Sequence, residues 1–182
     1  MTIICFFRTE TTGLHDTNKQ VSKKNLFEYA RLLRLEYLII DYNQTTKEYE
    51  ELINKNIIIQ PRCLVIPIEK ESFSSDITQE IAEKEGINIE IVLNDLKNDL
   101  KKVDYIITHS VDFHLKTIIA EYVRYNIPPE FFKYKIIDIA SFNHTFKYPK
   151  LKDLAENFKI KNITKKTNLE LIFSIFFKLI KK

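Results

Sequence analysis

The stretch Thr2-Ile3-Ile4-Cys5-Phe6-Phe7-Arg8-Thr9-Glu10-Thr11-Thr12-Gly13-Leu14 decides the fold of this chain. Its first six residues are apolar, β-branched or aromatic, which is typical of a short buried strand, and the polar residues after them indicate a turn. Arg8 and Glu10 are two positions apart, so their side chains share one face of an extended chain. We therefore expect Arg8 to reach toward Glu10 where the strand ends.

The rest of the sequence alternates between strand patterns and helix patterns. Apolar runs predict further strands over residues 36–42, 57–59, 105–108 and 136–139. Apolar residues at helical spacing predict helices over residues 75–83, 91–100, 111–125, 150–158 and 167–179. The first three strands predict an antiparallel meander. The whole order predicts an α/β fold, a mixed central β-sheet flanked by helices, in a single domain over residues 1–182.

The composition predicts an intracellular, cytoplasmic protein. Of the 182 residues, 45% are apolar and 29% are charged, which is enough to bury a core. No apolar run is long enough to predict a membrane span, and the N-terminus lacks a signal-peptide pattern. Cys5 and Cys63 are too few for a disulfide framework or a four-ligand zinc site. Two glycines are too few for a Gly-rich phosphate loop.

Residue usage says more about the source of the chain than about its chemistry. Ile, Lys and Asn together make up 64 of the 182 residues, and all three have AT-rich codons. This excess indicates an AT-rich genome, such as that of a low-GC bacterium, its phage or a large DNA virus. The net charge of +3 permits contact with nucleic acid without requiring it.

Four segments, in order along nearly the whole chain, resemble one enzyme family. Residues 7–14 resemble the motif Asp-x-Glu-Thr-Thr-Gly-Leu, and residues 104–115 resemble a strand that leads into His-Asn-x-x-Phe-Asp. Residues 150–160 are similar to Lys-Leu-x-x-Leu-Ala-x-x-Phe-x-Ile, and the helix over residues 167–179 lies where a third motif belongs. These are features of the DEDDh 3′–5′ exonucleases, which include proofreading and RNase T-like enzymes. The resemblance implies their ribonuclease H-like fold.

The resemblance also implies a site that has lost most of its metal ligands. Enzymes of this kind use four carboxylates to hold two divalent metal ions and a histidine as general base. In this chain the positions equivalent to the four carboxylates hold Arg8, Glu10, His114 and Leu171. The position equivalent to the histidine holds Lys166. The register of the last motif is open by one residue either way. Such a set is neutral to positive and should repel a magnesium pair. It implies a pseudoenzyme without a metal cofactor.

Contacts to a single-stranded 3′ end are implied by the same resemblance. The turn Thr11-Thr12-Gly13-Leu14 would cradle the terminal nucleotide, with Leu14 against its base, and His109 would position the second-motif turn. Lys165 and Lys166 follow Lys159 and Lys161 and bring positive charge to the same side of the inferred cleft. The alternatives are an inherited turn and a solvated lysine face.

Several of these residues also have a plainer structural interpretation. Arg8 and Glu10 either form an ion pair that fills the former metal cleft or hold a phosphate between them. His114 is either an ordinary helix residue or a lone metal ligand or base. We expect Arg8 to lie near His114 and near the start of the last helix, around Lys166. The surplus of apolar residues over residues 169–180 predicts an interface for a protein partner or a second copy of the chain.

Three functions are compatible with these residues. The first is a catalytically degenerate exonuclease-like domain that binds nucleic acid or another protein. The second is an active 3′–5′ exonuclease with an unusual ligand set, in which Glu10 helps to hold two Mg²⁺ or Mn²⁺ ions. The third is a purely structural interaction protein.

Overall fold

A six-stranded sheet with helices on both faces forms the body of the protein in the computed structural model, which describes residues 1–15, 18–60, 76–129, 134–143 and 147–180. The strands are β1 (Thr2–Thr11), β2 (Leu32–Tyr42), β3 (Tyr49–Gln60), β4 (Ile87–Asn88), β5 (Tyr105–Thr108) and β6 (Lys135–Asp138). The α-helices within these ranges are α1 (Gln79–Glu85), α2 (Ile89–Asp99), α3 (Val111–Arg124), α4 (Leu151–Asn157) and α5 (Asn168–Ile180). None of these helices is both long enough and apolar enough to cross a membrane.

Strand β1 lies inside the sheet, whose order is β4-β3-β2-β1-β5-β6. Strands β1, β2 and β3 form the predicted antiparallel meander, whereas β1 pairs with β5, and β5 with β6, in parallel. The prediction of a mixed sheet flanked by helices is therefore confirmed. Because β1 and β5 run in the same direction, their carboxyl ends meet at one edge of the sheet, where ligands bind in α/β folds.

The alternation of side chains along β1 separates two apolar cores. Cys5 and Phe7 point to the face that α2 and α3 cover, and both side chains are buried. Ile4 and Phe6 point to the opposite face, which α4 and α5 cover. A strand that is buried on both faces has a continuous apolar run, which is why residues 2–7 show no polar alternation.

Helix α5 uses its apolar residues inside the fold, so the surplus over residues 169–180 that predicted a partner interface is taken up by packing in the described part of this helix. The ring of Phe173 lies 5.1 Å from the ring of Phe6 and 5.2 Å from that of Tyr49, between centroids. Phe177 also packs on Tyr49, at 5.1 Å. The half-exposed Tyr49 therefore covers apolar surface of α5 that would otherwise face solvent.

The boundaries of several elements differ from the sequence-based expectations. β3 extends over Tyr49–Gln60, well beyond residues 57–59, because its polar, exposed half carries no apolar signal. α1 begins only at Gln79, since the Thr78 hydroxyl accepts a hydrogen bond from the Ile81 backbone N–H and caps the helix there. Strand β4 is too short to show a pattern. Ser75 and Cys63 lie outside the described residues.

Gly86 joins α1 to β4 at a point where two backbone segments almost touch. A Cβ atom at this position would overlap the Ala82 carbonyl oxygen and lie 2.6 Å from the Gln60 backbone nitrogen. Gly86→Ala should therefore lower the free energy of unfolding by about 2 kcal/mol, the range of an overpacked site. Urea unfolding measures this, with the exposed neighbour variant Glu85→Ala as control. Equal midpoints for the two variants would contradict the close approach.

Candidate functional site

The carboxyl ends of β1 and β5 open into a pocket with a volume of about 380 Å³. The first turns of α3 and α5 close its sides, so four separate sequence segments meet there. The residues that line it include Arg8, Thr9, Glu10, Thr11, Gly13, Leu14, His109, Phe113, His114, Asn168 and Ile172. Seven of the residues that the sequence placed in a site, from the first two predicted motifs, thus lie around one pocket.

Arg8 and Glu10 form the expected ion pair, and a second carboxylate joins it. Arg8 Nη1 donates to Glu10 Oε1 and to Glu36 Oε2, each at 2.8 Å. The side chains of Arg8, Glu10 and Glu36 are 14%, 10% and 7% exposed, so these charges are largely removed from water. At such burial each charge requires a partner. Arg8 is therefore held in place by two carboxylates at once.

Arg34 and Asn56 also contact these carboxylates. We define the arginine cluster as the four charged residues Arg8, Glu10, Glu36 and Arg34. Arg34 Nε lies 3.6 Å from Glu10 Oε2. The Asn56 side-chain amide donates to Glu36 Oε1 at 3.3 Å. Two guanidinium groups and two carboxylates balance each other within these four residues, and Arg34 also donates to the exposed Asp76 carboxylate at 2.8 Å. Sequence reasoning missed Glu36 because it lies directly opposite Arg8 across the β1–β2 pair, and only the strand register reveals this.

The residues present do not fit a pair of divalent metal ions. Hard divalent cations need several oxygen ligands, and both carboxylates beside Arg8 already accept from its guanidinium. Within the described ranges, no group of three or more His, Cys, Asp or Glu side chains is arranged to hold a metal. A cation at this place would also face two fixed guanidinium charges.

His114 is buried against β1. Its Nδ1 accepts the Thr9 backbone N–H at 3.2 Å and lies 2.7 Å from Thr9 Oγ1. Because a backbone N–H can only donate, Nδ1 carries no proton, and the neutral ring holds its proton on Nε2. Burial lowers the pKa of His114 to about 3, and the positive charge of Arg8 acts in the same direction. The ring is neutral at physiological pH.

The turn before α3 is fixed by hydrogen bonds from the end of β6 and from the loop before α4, which sequence reasoning did not identify. Ser110 has a left-handed backbone (φ 64°), and its N–H donates to Tyr148 Oη at 2.7 Å. Asp138 Oδ2 accepts from the Val111 N–H at 3.0 Å and from the Tyr148 hydroxyl at 2.9 Å. His109 Nε2 lies 2.9 Å from the Pro149 carbonyl oxygen. His109 is thus held at the pocket by the loop before α4.

The turn after β1 leaves one apolar side chain in solvent. Thr11 Oγ1 donates to the Gly13 carbonyl at 2.6 Å, which tightens the turn. Thr12 is bound to Arg31 by two hydrogen bonds, Thr12 N–H to the Arg31 carbonyl and Arg31 N–H to Thr12 Oγ1. Leu14 is 79% exposed at the mouth of the pocket. Thr12 itself lines a neighbouring pocket on the other side of Leu14.

The last helix meets the pocket one residue beyond Leu171, within the range of one residue that was left open for the last motif. Leu171 lies in the core on the α5 side of the sheet, and Ile172 is the residue that lines the pocket, one position along the chain. Lys166 lines a separate groove that it shares with Glu36. The expectation that Lys166 lies beside Arg8 in one pocket is therefore not met. Lys165 ends the exposed 3-10 turn Ile163–Lys165. The helical offset of about 100° per residue turns Leu171 away.

Comparisons with solved structures identify the class of fold. The chain superposes on a structure of SSB/Exonuclease I in complex with the inhibitor CFAM, with a TM-score of 0.68 and 14% identity over 100% of this chain and 42% of that one. It also superposes on a 3′-exonuclease in 3′-end specific recognition of a histone mRNA stem-loop, with a TM-score of 0.58 and 16% identity over 98% and 78% of the two chains. For the yeast NOT1 MIF4G domain co-crystallized with CAF1, the values are 0.62 and 16% over 98% and 79%.

At these identities the likeness shows the fold. The protein has the α/β, ribonuclease H-like fold of 3′–5′ exonuclease structures, as its motifs predicted. No protein-family model and no curated protein matches the chain.

Removing the Arg8 charge should destabilise the fold. In Arg8→Met, Glu10 and Glu36 would be left buried side by side without their shared donor, at a cost of about 3 kcal/mol in the free energy of unfolding. Lys116→Met is the control, because it removes a cation from a pair whose partner Asp112 is 60% exposed and should cost under about 1 kcal/mol. Urea unfolding measures both. A loss for Arg8→Met no larger than for the control would count against the arginine cluster.

His114 should make the stability depend on pH. Its folded-state pKa of about 3 lies below the ordinary value of 6.5, so the unfolded state takes up a proton that the folded state does not. Stability is then full above pH 6.5 and falls as the pH drops toward 3. Between pH 7.5 and 5.5 this residue alone should cost about 1.4 kcal/mol.

The variant His114→Asn isolates this contribution. Its Oδ1 can accept the Thr9 N–H but does not titrate, so its stability should change less between pH 7.5 and 5.5 than that of the wild type, by about 1.4 kcal/mol. Parallel pH profiles for the two proteins would show that the pKa of His114 is the same in the folded and unfolded states.

Proposed function

We propose that this protein is a catalytically inactive exonuclease-like domain that binds single-stranded nucleic acid at the pocket between β1, β5 and α5. One observation carries the proposal: Arg8 lies at the position that the resemblance gives to a metal-binding aspartate, and its guanidinium holds both Glu10 and Glu36. An arginine remains charged at any pH that a folded protein tolerates. It therefore occupies the place of the metal ions as a permanent internal cation.

The other family-equivalent positions support the loss of catalysis. Nδ1 of His114 accepts a hydrogen bond from the Thr9 N–H. The side chains of Ile172 and Leu171 have no oxygen atom that could bind a metal or a water molecule. Glu10 is the one acidic side chain among the described residues that line the pocket. Two-metal hydrolysis depends on several ligands acting as a unit, and its rate collapses when any of them is removed.

The shape and the surroundings of the pocket support strand binding. The turn after β1 presents the exposed Leu14 side chain, and Gly13 and His109 line the same pocket. Lys165 and Lys166 add positive charge just before α5, where Lys166 lines the separate groove that it shares with Glu36, and a strand that leaves the pocket along α5 would meet them. One solved structure of the same fold is that of a 3′-exonuclease in 3′-end specific recognition of a histone mRNA stem-loop.

The loss of nuclease activity can be tested with labelled single strands of DNA and RNA. With Mg²⁺ or Mn²⁺, the wild-type protein and Glu10→Gln should leave the strands equally intact, because no metal pair forms. Arg8→Asp should be equally inactive, since the positions of His114 and Ile172 still carry no carboxylate and Nδ1 of His114 is bound to Thr9. Progressive 3′ shortening by the wild type that Glu10→Gln abolishes would establish the active exonuclease instead.

Strand binding should depend on salt and on the lysines before α5. By fluorescence anisotropy, the double variant Lys165→Ala/Lys166→Ala should bind a strand roughly fivefold more weakly, and its log–log salt slope should be shallower by about 1 to 2. The matched control is Lys101→Ala/Lys102→Ala, on the 3-10 turn Leu100–Lys102 that precedes the amino end of β5, which should bind as the wild type does. Absence of strand binding at low salt would favour a purely structural protein.

A further inference from the structure

A second pocket, with a volume of about 450 Å³, lies on the other side of Leu14 from the site described above. The segment between β1 and β2 forms one wall of it, with Leu26, Phe27 and Tyr29, and Arg31 and Arg124 also line it. Gly13 and Leu14 line both pockets. The two pockets are thus neighbours that share the exposed Leu14 side chain.

The arginines of this pocket share a single buried carboxylate. Glu121 is 1% exposed, and its Oε1 accepts from Arg31 Nε at 2.9 Å and from Arg124 Nη1 at 2.8 Å. Two guanidinium groups on one carboxylate leave a net charge of about +1. The arginine side chains are 22% and 14% exposed, whereas Glu121 is sealed in the core. The uncompensated charge consequently faces the pocket and attracts an anion.

The other carboxylate of the pocket does not cancel this charge. Glu28 lines the pocket, but both of its oxygens accept from Lys19 Nζ at 2.8 Å. That pair is formally neutral, so the excess from Arg31 and Arg124 remains.

Hydrogen bonds from Arg124 hold the wall of the pocket that the segment between β1 and β2 forms. Arg124 Nη2 donates to the carbonyl oxygens of Leu26 and Tyr29, each at 2.6 Å. These bonds fix the backbone on both sides of Phe27, a residue whose side chain is nevertheless 84% exposed. This large aromatic ring is held in solvent near an exposed leucine. A ring on a fixed backbone can stack on a base without a large loss of conformational freedom.

We infer that the pocket between Leu14 and Phe27 is a second nucleotide site, in which a single strand that continues from the first pocket stacks a base on Phe27 and places a phosphate near Arg31 and Arg124. This inference rests on the proposed function, because it extends the same strand. Single-stranded nucleic acid is bound by such a combination of aromatic side chains and positive charge, with each stacked base contributing about 1–3 kcal/mol. The exposed side chains of Lys23 and Lys24 on the same segment add to the favourable charge.

The absence of tryptophan from the sequence allows a direct test. Phe27→Trp places a single indole in this pocket, and stacking of a base should quench its fluorescence as a strand of about 12 nucleotides of poly-dT or poly-U is added. Ile91→Trp is the control, since Ile91 is 56% exposed on α2 and lines neither of the two pockets. Its fluorescence should not respond to the strand.

Anisotropy with the same strands gives an independent measurement. Phe27→Ala should bind about tenfold more weakly than the wild type, because one stacked base is lost. Leu52→Ala, which removes another half-exposed apolar side chain, should bind normally. Strand binding that leaves the indole of Phe27→Trp unquenched and Phe27→Ala at full affinity would overturn this second site while the proposed function stands. Failure of the wild type to bind any strand would overturn both.

Discussion

The pairing of one buried guanidinium with two carboxylates constrains the whole end of the sheet where the site lies. Arg8 Nη1 reaches Glu10 and Glu36 at 2.8 Å each, and all three side chains are mostly removed from water. A buried charge must be matched, so β1 and β2 must keep the register that sets Arg8 opposite Glu36. In the function proposed above, the same cluster takes the place of metal ions, and the apolar surface of the pocket contacts the strand.

The topology explains how three distant segments meet around this cluster. Parallel pairing of β1 with β5 brings the turn after β1 beside His109, and α5 crosses the face of the sheet on which Phe6 and Arg8 lie. His114 reaches Thr9 from the opposite face. At this end of the sheet the fold gathers an ion cluster, a neutral imidazole and apolar side chains. A fold and the catalysis associated with it are separable, because catalysis depends on the residues of the site.

How much the sequence could predict depended on whether a feature was local. The buried strand over residues 2–7, the pair Arg8–Glu10 and the motif order were visible because alternation and spacing act over a few residues. Glu36 and Asp138 were not predicted, because their roles arise from strand register and from loop contacts.

Side-chain direction and exposed strands set the other limits. The register of the last motif could be predicted only to within one residue, and Ile172 lines the pocket where Leu171 does not, since one residue along a helix changes the direction of a side chain by about 100°. β3 was underestimated because its polar half forms an exposed part of the sheet.

Titration of the wild-type protein with Mn²⁺, followed by electron paramagnetic resonance of the free ion, tests the central claim most directly. If Arg8 serves as the cation of this site, the wild type and Glu10→Gln should leave the same concentration of Mn²⁺ free at every point of the titration. If the wild type binds two Mn²⁺ ions and Glu10→Gln abolishes this binding, the metal ions displace the Arg8 guanidinium from Glu10. The account given for the pocket would then be wrong.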